Sequence, residues 1–139
     1  MQTIVPYLTV KNAPEAIAFY VKALGAKENA RVPGEDGRIL HADLVINGGS
    51  VYVMDEFPEH ATEGCGPVRA PSLEKPAPVA TVINFGAPPD VDAAHSRAVG
   101  EGCKTVMEPQ DTFWNARFAV VGDPFGHIWM LNAELPAKS

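Results

Sequence analysis

Apolar and polar residues alternate along this chain in a pattern that occurs twice. Residues 3–55 and residues 79–132 each contain a short apolar strand, an amphipathic helix and then a run of strands. The two predicted helices also end alike, in Gly25-Ala26-Lys27 and Gly102-Cys103-Lys104. The repeat predicts two similar halves, and it predicts a ligand site between them because neither half can close a core alone.

The first half is predicted to fold as a strand, a helix and three strands. Residues 3–10 alternate as a strand, and Pro6, which lacks an N–H donor, favours an edge or a seam for it. Asn12 is predicted to cap the helix and Gly25 to end it. The following strands are predicted over 26–32, 38–46 and 50–55, with a hairpin turn at 47–49.

The second half repeats this order. A strand is predicted over 79–85, followed by a helix that Asp90 caps and that buries Val91, Ala94 and Ala98, with His95 as a further candidate. A short strand over 103–108 is predicted to end at Pro109. The last two strands are predicted over 113–121 and 127–132, on either side of a tight turn at 123–126.

The fold class predicted from this order is α+β, with two βαβββ modules. We expect one domain over 1–139, with module 1 over about 1–55, a segment over 56–77 that serves as both lid and linker, and module 2 over about 78–139. The lid segment has no hydrophobic periodicity. Its glutamates, Glu56, Glu59 and Glu63, are expected to form an acidic, solvated surface.

Charge and composition exclude several classes of partner. The net charge of −6 argues against nucleic acid or an anionic membrane as a partner. No apolar run approaches the ~18 residues of a membrane span. No secretory signal is visible, and Cys65 and Cys103 form no disulfide framework, so we expect a reducing, cytoplasmic location.

Three segments resemble the vicinal oxygen chelate superfamily, which includes glyoxalase, bleomycin-resistance and extradiol-dioxygenase proteins. They are residues 7–25, residues 37–44, and the stretch from Phe113-Trp114 through 123–131. Their amino-acid sequences most resemble the PhnB-like branch of the superfamily. The resemblance implies that the two modules form an open U-shaped mixed sheet with helices on its outer face. It also implies that a second chain completes the cleft, so we expect a homodimer.

Metal-dependent members of that superfamily hold a divalent ion inside the U with four ligands on four strands. The resemblance transfers these positions to Val5, Val53, the neighbourhood of Ala80, and Met130. Divalent ions need oxygen or imidazole ligands, and these four residues are apolar. We therefore expect no metal and no cofactor at the usual site.

His41 and Asp43 are the candidate catalytic residues. They lie two apart on a predicted strand and share one face, opposite an apolar face formed by Leu40, Ala42, Leu44 and Ile46. His41 could act as a general base near neutral pH, and Asp43 could fix its tautomer. The alternative is a polar pair that lines a wet pocket or a dimer seam. An iron triad with His127 is a further reading, against which the fold pattern argues.

The candidate ligand-binding residues are expected to line the same concavity. Tyr7 shares a strand face with Val5 and could donate a hydrogen bond to a ligand oxygen. Trp114 could stack on a planar molecule, and Arg117 could pair with a carboxylate or phosphate. Their spacing of three places at most one of them inward on a regular strand. The remaining candidates are Val53, Met130 and Asn132.

Other reactive residue types are expected to be structural. His127 is expected to pack beside Trp129, and Cys103 is expected to lie in the core. Cys65 is expected to be exposed, without a histidine fixed beside it. The sequence offers no partner for His60 or His95.

Three functions remain open on the sequence. The favoured one is a protein that binds a small planar or aromatic molecule in an apolar cavity with a few polar groups. The second is a metal-independent isomerase, epimerase or lyase that uses His41 and Asp43 for proton transfer. The third is a metal-dependent enzyme with displaced ligands drawn from His41, Asp43, His127 or the lid glutamates.

Overall fold

The computed structural model describes residues 2–60 and 69–137 and contains eight strands and two helices within them. In chain order these are β1 (Tyr7–Val10), α1 (Ala13–Leu24), β2 (Lys27–Pro33), β3 (Ile39–Ile46), β4 (Gly49–Asp55), a 3₁₀ turn (Pro58–His60), β5 (Ala80–Asn84), α2 (Pro88–Gly100), β6 (Lys104–Asp111), β7 (Ala116–Gly122) and β8 (Ile128–Glu134).

The strands form two mixed sheets with the same topology. Sheet 1 has the order β1-β4-β3-β2 and sheet 2 the order β5-β8-β7-β6. Strand β1 pairs in parallel with β4, and β5 pairs in parallel with β8. All other neighbouring strands in the two sheets are antiparallel. The α+β class and the two βαβββ modules predicted from the sequence are confirmed.

Helix α1 begins and ends as its sequence predicts. The side chain of Asn12 accepts a hydrogen bond from the backbone N–H of Glu15 at 3.2 Å, which satisfies one of the donors at the helix start. Gly25 follows the helix with φ = 68°, a left-handed conformation that glycine adopts without strain. Ala16, Ile17 and Tyr20 form the buried stripe.

Helix α2 differs from its prediction at the start. It begins at Pro88 and follows Ala87, so Asp90 lies in its first turn and does not cap it. Proline at the first helical positions needs no hydrogen-bond acceptor, and Asp90 stabilises the turn through its charge at the positive end of the helix. Val91, Ala98 and His95 are buried, as predicted, whereas Ala94 is only partly buried.

Several observed strand boundaries also differ from the predicted ones. Strand β6 continues through Pro109 to Asp111, because it is an edge strand whose register shifts there and Pro109 needs no N–H partner. Strand β7 begins only at Ala116, because Asn115 turns with φ = 65°. The predicted hairpin is present, and Asn47 and Gly48 both have the positive φ of a type I′ turn.

One apolar core extends through both modules on the sheet faces that the helices cover. Along β3 and β4 the buried residues alternate, with Ala42, Leu44, Val51 and Val53 on the covered face. From sheet 2 the core receives residues that include Trp129 and Leu131. We call the opposite face of each sheet its open face.

A buried carboxylate connects the modules. Asp123 is fully buried in the turn between β7 and β8, and its Oδ2 accepts hydrogen bonds from the Tyr20 hydroxyl at 2.6 Å and from Trp129 Nε1 at 2.9 Å. Its Oδ1 accepts from the backbone N–H groups of Phe125 at 2.8 Å and His127 at 3.0 Å. Helix α1 of module 1 is thereby bonded to the β7–β8 turn of module 2.

Neither helix in the described part of the chain has the length and apolar character needed to cross a membrane.

Tyr20→Phe is expected to lower the free energy of unfolding by about 2 kcal/mol, because it removes a buried hydrogen bond to a carboxylate. Burial, reinforced by Asp123, raises the pKa of Tyr20 well above its ordinary 10.0. The stability that the neutral phenol contributes is therefore complete below pH 10.0 and is lost as the pH rises above it.

Urea denaturation of Tyr20→Phe and wild type at neutral and alkaline pH measures both effects. The control is Tyr52→Phe, because Tyr52 makes ring contacts but no hydroxyl hydrogen bond with the described residues. Equal stability of Tyr20→Phe and wild type at neutral pH would contradict this role of Tyr20.

Candidate ligand-binding site

Four polar and aromatic side chains meet on the open face of sheet 1. Tyr7 on β1 is the register partner of Tyr52 on β4, and Tyr52 is in turn the partner of Asp43 on β3. His41 lies two residues before Asp43 on the same face. We call Tyr7, His41, Asp43 and Tyr52 the aromatic cluster.

The three rings of the aromatic cluster contact one another edge to face. Their centroids are 5.5 Å apart for Tyr7 and His41, 5.5 Å for Tyr7 and Tyr52, and 4.8 Å for His41 and Tyr52. Such pairs favour a fixed arrangement of the rings. The cluster therefore offers a flat molecule a preformed aromatic surface, of which Tyr7 is 42% exposed.

Hydrogen bonds of Tyr7 favour one tautomer of the neutral His41 imidazole. The Tyr7 hydroxyl lies 2.8 Å from His41 Nδ1 and 3.3 Å from the carbonyl oxygen of Leu40. Because the carbonyl can only accept, both bonds form together only when the hydroxyl donates to it and Nδ1 donates to the phenol oxygen. We infer that His41 Nε2 then carries the free lone pair of a base.

The phenol of Tyr7 remains neutral well into the alkaline range. Partial burial, with a smaller effect of nearby Tyr52, raises the pKa of Tyr7. The hydroxyl therefore keeps the hydrogen that it donates to Leu40.

Asp43 is not the hydrogen-bond partner of His41 Nδ1. The partner of His41 is Tyr7, so the prediction that Asp43 fixes the tautomer of His41 is wrong. Its Oδ1 is buried and has no hydrogen-bond partner among residues 2–60 and 69–137. Leaving a buried carboxylate oxygen without a donor costs free energy, and a donor on a ligand would remove that cost.

Three of the other predicted residues lie where a ligand on an open face could contact them. Met130 and Asn132 are half-buried on the open face of sheet 2. Trp114 packs its ring edge-on against Phe118 at 5.6 Å, and Phe118 is the register partner of Asn132. Val5 is half-buried in the segment before β1.

Val53 and Arg117 lie on the covered faces and cannot contact a ligand on the open faces. Val53 is fully buried in the core, because the alternation along β4 turns Tyr52 outward and Val53 toward the helix. Arg117 alternates with Phe118 on β7 and pairs with Asp92 of α2 at 2.8 Å and with Asp111 at 3.2 Å. The Arg117 guanidinium also lowers the pKa of Asp92.

A cavity of about 560 Å³ adjoins Tyr7. Its walls are β1, the start of β5 and residues 69–78, which we call the proline-rich segment. His127 also lines it, and its Nε2 donates a hydrogen bond to the carbonyl oxygen of Thr9 at 2.8 Å. His127 is thus a structural link between β1 and module 2.

The other reactive residue types are structural where the structure describes them. Cys103 is buried as predicted, and burial raises the pKa of its thiol to about 12. His95 is bonded to Thr105 at 2.9 Å. Cys65 and Glu63 lie outside the described residues. Glu59 is exposed, as predicted for an acidic, solvated surface, and it pairs with Arg38. Glu56 is half-buried and accepts a hydrogen bond from the backbone of Ala70.

The four positions that the resemblance transfers from metal-dependent members carry no oxygen or imidazole ligand in this chain. Val5, Val53 and Ala80 have no side-chain oxygen or nitrogen, and Met130 offers only a soft thioether. Within the described ranges, no group of three or more His, Cys, Asp or Glu side chains is placed to hold a metal ion.

Comparison with known proteins assigns the family. The family model described as "Glyoxalase/Bleomycin resistance protein/Dioxygenase superfamily" matches residues 2–131. The chain belongs to this superfamily. It is 41% identical over 126 residues to the uncharacterized protein Mb0911c of Mycobacterium bovis, an alignment that covers 91% of this chain and 79% of that one.

Solved structures share the fold over nearly the whole chain. Protein PA1353 from Pseudomonas aeruginosa has a TM-score of 0.72 and 26% identity, over 98% of this chain and 100% of that chain. A PhnB protein from Bacillus cereus has a TM-score of 0.67 and 16% identity, over 95% and 99% of the two chains. The resemblance to the superfamily, PhnB proteins included, is therefore confirmed at the level of fold.

Three residues of this region, Tyr52, Arg69 and Lys75, were not predicted from the sequence. Tyr52 could have been found, because it alternates with Val51 and Val53 and so must face away from them. Arg69 and Lys75 carry no such signal, since the proline-rich segment has no periodicity and its path depends on contacts with distant residues.

Tyr7→Phe is expected to change the tautomer of neutral His41. In wild type the Tyr7 oxygen accepts from Nδ1–H, and without that acceptor the hydrogen is expected to move to Nε2, the usual site. Long-range proton–nitrogen NMR spectra of the imidazole distinguish the two forms. The control is Tyr52→Phe, which leaves the Tyr7 hydroxyl in place. An Nε2–H tautomer already present in wild type would contradict the assignment.

Proposed function

We propose that this chain binds a small planar or aromatic molecule against the aromatic cluster, without a metal ion. The observation that carries the proposal is the buried Asp43 Oδ1, which has no partner among the described residues and lies beside three mutually packed rings. A flat ligand with an N–H or O–H group would contact the rings and donate to that oxygen.

The surroundings of the aromatic cluster support a ligand of this size. The adjoining cavity of about 560 Å³ lies within the range of small-molecule sites. Its lining combines prolines and aliphatic residues with the polar groups of Tyr7, Thr9 and His127. A mainly apolar wall with a few polar groups gives both affinity and orientation.

We propose further that the chain acts as a homodimer in which sheet 2 of one protomer covers sheet 1 of its partner. Val82 is 50% exposed, Trp114 52% and Phe113 97%, and exposed apolar patches of this kind mark protein contacts. This pairing would bring Trp114, Met130 and Asn132 to the aromatic cluster of the other protomer and would give them the ligand contacts predicted from the sequence.

Proton transfer by His41 is the second candidate function. The hydrogen bonds of Tyr7 leave Nε2 of His41 as a free base, which could remove a proton from a bound ligand in an isomerase, epimerase or lyase reaction. Substrate turnover that vanishes in His41→Ala while ligand binding persists would favour this function over simple binding.

The binding proposal can be tested with phenylnaphthylamine, a neutral planar fluorescent probe. We expect saturable binding that a chelator does not change, and about tenfold weaker binding in both Tyr7→Ala and Tyr52→Ala, because each removes an aromatic contact. The control is Val99→Ala, which removes an exposed apolar side chain of α2. Equal binding by wild type and both tyrosine variants would contradict the proposed site.

The dimer can be tested by sedimentation of wild type and Trp114→Glu. We expect wild type to be dimeric at micromolar concentration and Trp114→Glu to be monomeric, since a buried unpaired carboxylate opposes association. The control is Val99→Glu, on helix α2. A wild-type chain that remains monomeric at all concentrations would contradict the paired-sheet arrangement.

A further inference from the structure

Among the described residues, the cavity beside Tyr7 is lined by two cationic side chains and by no acidic one. Arg69 and Lys75 both belong to the proline-rich segment, and the other lining residues are apolar or neutral apart from His127. The chain as a whole has 17 acidic against 11 basic residues. A wall with two positive charges and no negative one is therefore unusual for this surface.

In the part of the chain that the structure describes, Arg69 differs from the other arginines in having no hydrogen-bond acceptor for its side chain. Arg31 pairs with Glu28, Arg38 with Asp36, Arg117 with Asp92, and Arg97 donates to the carbonyl oxygen of Lys22. Among the described residues no acceptor is within hydrogen-bond distance of the Arg69 side chain, and the same is true of the Lys75 ammonium group. The nearby Glu56 carboxylate instead accepts from the backbone of Ala70 at 3.0 Å.

The backbone that carries these charges is held in place. Ala77 N–H donates to the Gly126 carbonyl at 2.8 Å, and within the segment Ser72 N–H donates to the Lys75 carbonyl at 3.0 Å. Gly126 has φ = 91°, and a Cβ there would lie only 2.7 Å from the Ser72 nitrogen. The segment is thus seated on the β7–β8 turn with no room for a side chain at Gly126, which fixes the backbone from which Lys75 extends toward the cavity.

We propose that the ligand carries an anionic group, a carboxylate, sulfonate or phosphate, which Arg69 and Lys75 bind in the cavity. This inference rests on the proposed function and specifies its ligand class. Tyr7 lines both the cavity and the aromatic cluster, so the planar part of the ligand extends from the anionic group across Tyr7. The donor for Asp43 lies at the opposite end of the ligand, because the two negative charges repel each other.

Two matched fluorescent probes test the inference on the full chain. Anilinonaphthalene sulfonate carries the anionic group, and phenylnaphthylamine has the same aromatic framework without it. We expect the sulfonate to bind wild type more tightly and to lose about tenfold in affinity in Arg69→Gln or Lys75→Gln, because each variant removes a charge-assisted contact. The affinity for phenylnaphthylamine is expected to be unchanged in these variants.

Substitutions that remove a positive charge elsewhere distinguish a specific contact with the sulfonate from a general effect of the protein's charge. Lys104→Gln and Arg31→Gln remove one positive charge each outside the cavity and are expected to leave sulfonate binding unchanged, while Lys75→Arg is expected to retain it. Displacement of the dye by benzoate, benzenesulfonate or phenyl phosphate, but not by benzyl alcohol, identifies the types of anion that the cavity accepts.

The outcomes distinguish this inference from the proposed function. Equal affinities of wild type for both probes, or unchanged sulfonate affinity in Arg69→Gln/Lys75→Gln, would overturn the anionic ligand and leave planar binding intact. If the double variant no longer binds either probe, the anionic ligand is also overturned, since Arg69 and Lys75 would then maintain the shape of the cavity and not bind a charge. If neither probe binds wild type, both proposals fail.

Discussion

The buried carboxylate of Asp123 is the interaction on which the arrangement of this molecule depends. It accepts hydrogen bonds from helix α1, from strand β8 and from the turn that contains it, and so fixes module 1 to module 2. The same turn presents Gly126, on which the proline-rich segment is seated, and His127, which donates to the Thr9 carbonyl oxygen on β1. A single desolvated charge, compensated by several donors, thus positions one wall of the candidate ligand cavity.

The strand alternation separates structure from chemistry. Residues on the covered faces form one core with both helices, and substitution there acts on stability. Residues on the open faces are free to differ between relatives without loss of the fold, so one superfamily can support unrelated activities. In this chain the open face of sheet 1 presents the rings of Tyr7, His41 and Tyr52 and the Oδ1 of Asp43, which has no partner among the described residues.

Local patterns in the sequence predicted most of the fold and part of the candidate site. The cap at Asn12, the stop at Gly25 and the turn at Asn47-Gly48 depend on a few neighbouring residues, and all three are confirmed. The pairing of His41 with Tyr7 could not be predicted, because it depends on the register between strands 34 residues apart. The prediction that Val53 contacts a ligand was wrong by one position, because Tyr52 is the residue that faces the open side of β4. A shift of one residue along a strand reverses the face to which a side chain points. Arg69 and Lys75 owe their position to Gly126, far along the chain.

The central claim is that a planar molecule binds across Tyr7, between the aromatic cluster and the proline-rich segment. A crystal structure of the chain with a bound aromatic anion tests it most directly. We expect the ring to lie against Tyr7 and Tyr52, a ligand donor to reach Asp43 Oδ1, and the anionic group to lie between Arg69 and Lys75. A ligand bound elsewhere, for example between α1 and α2, with the aromatic cluster unchanged, would contradict it.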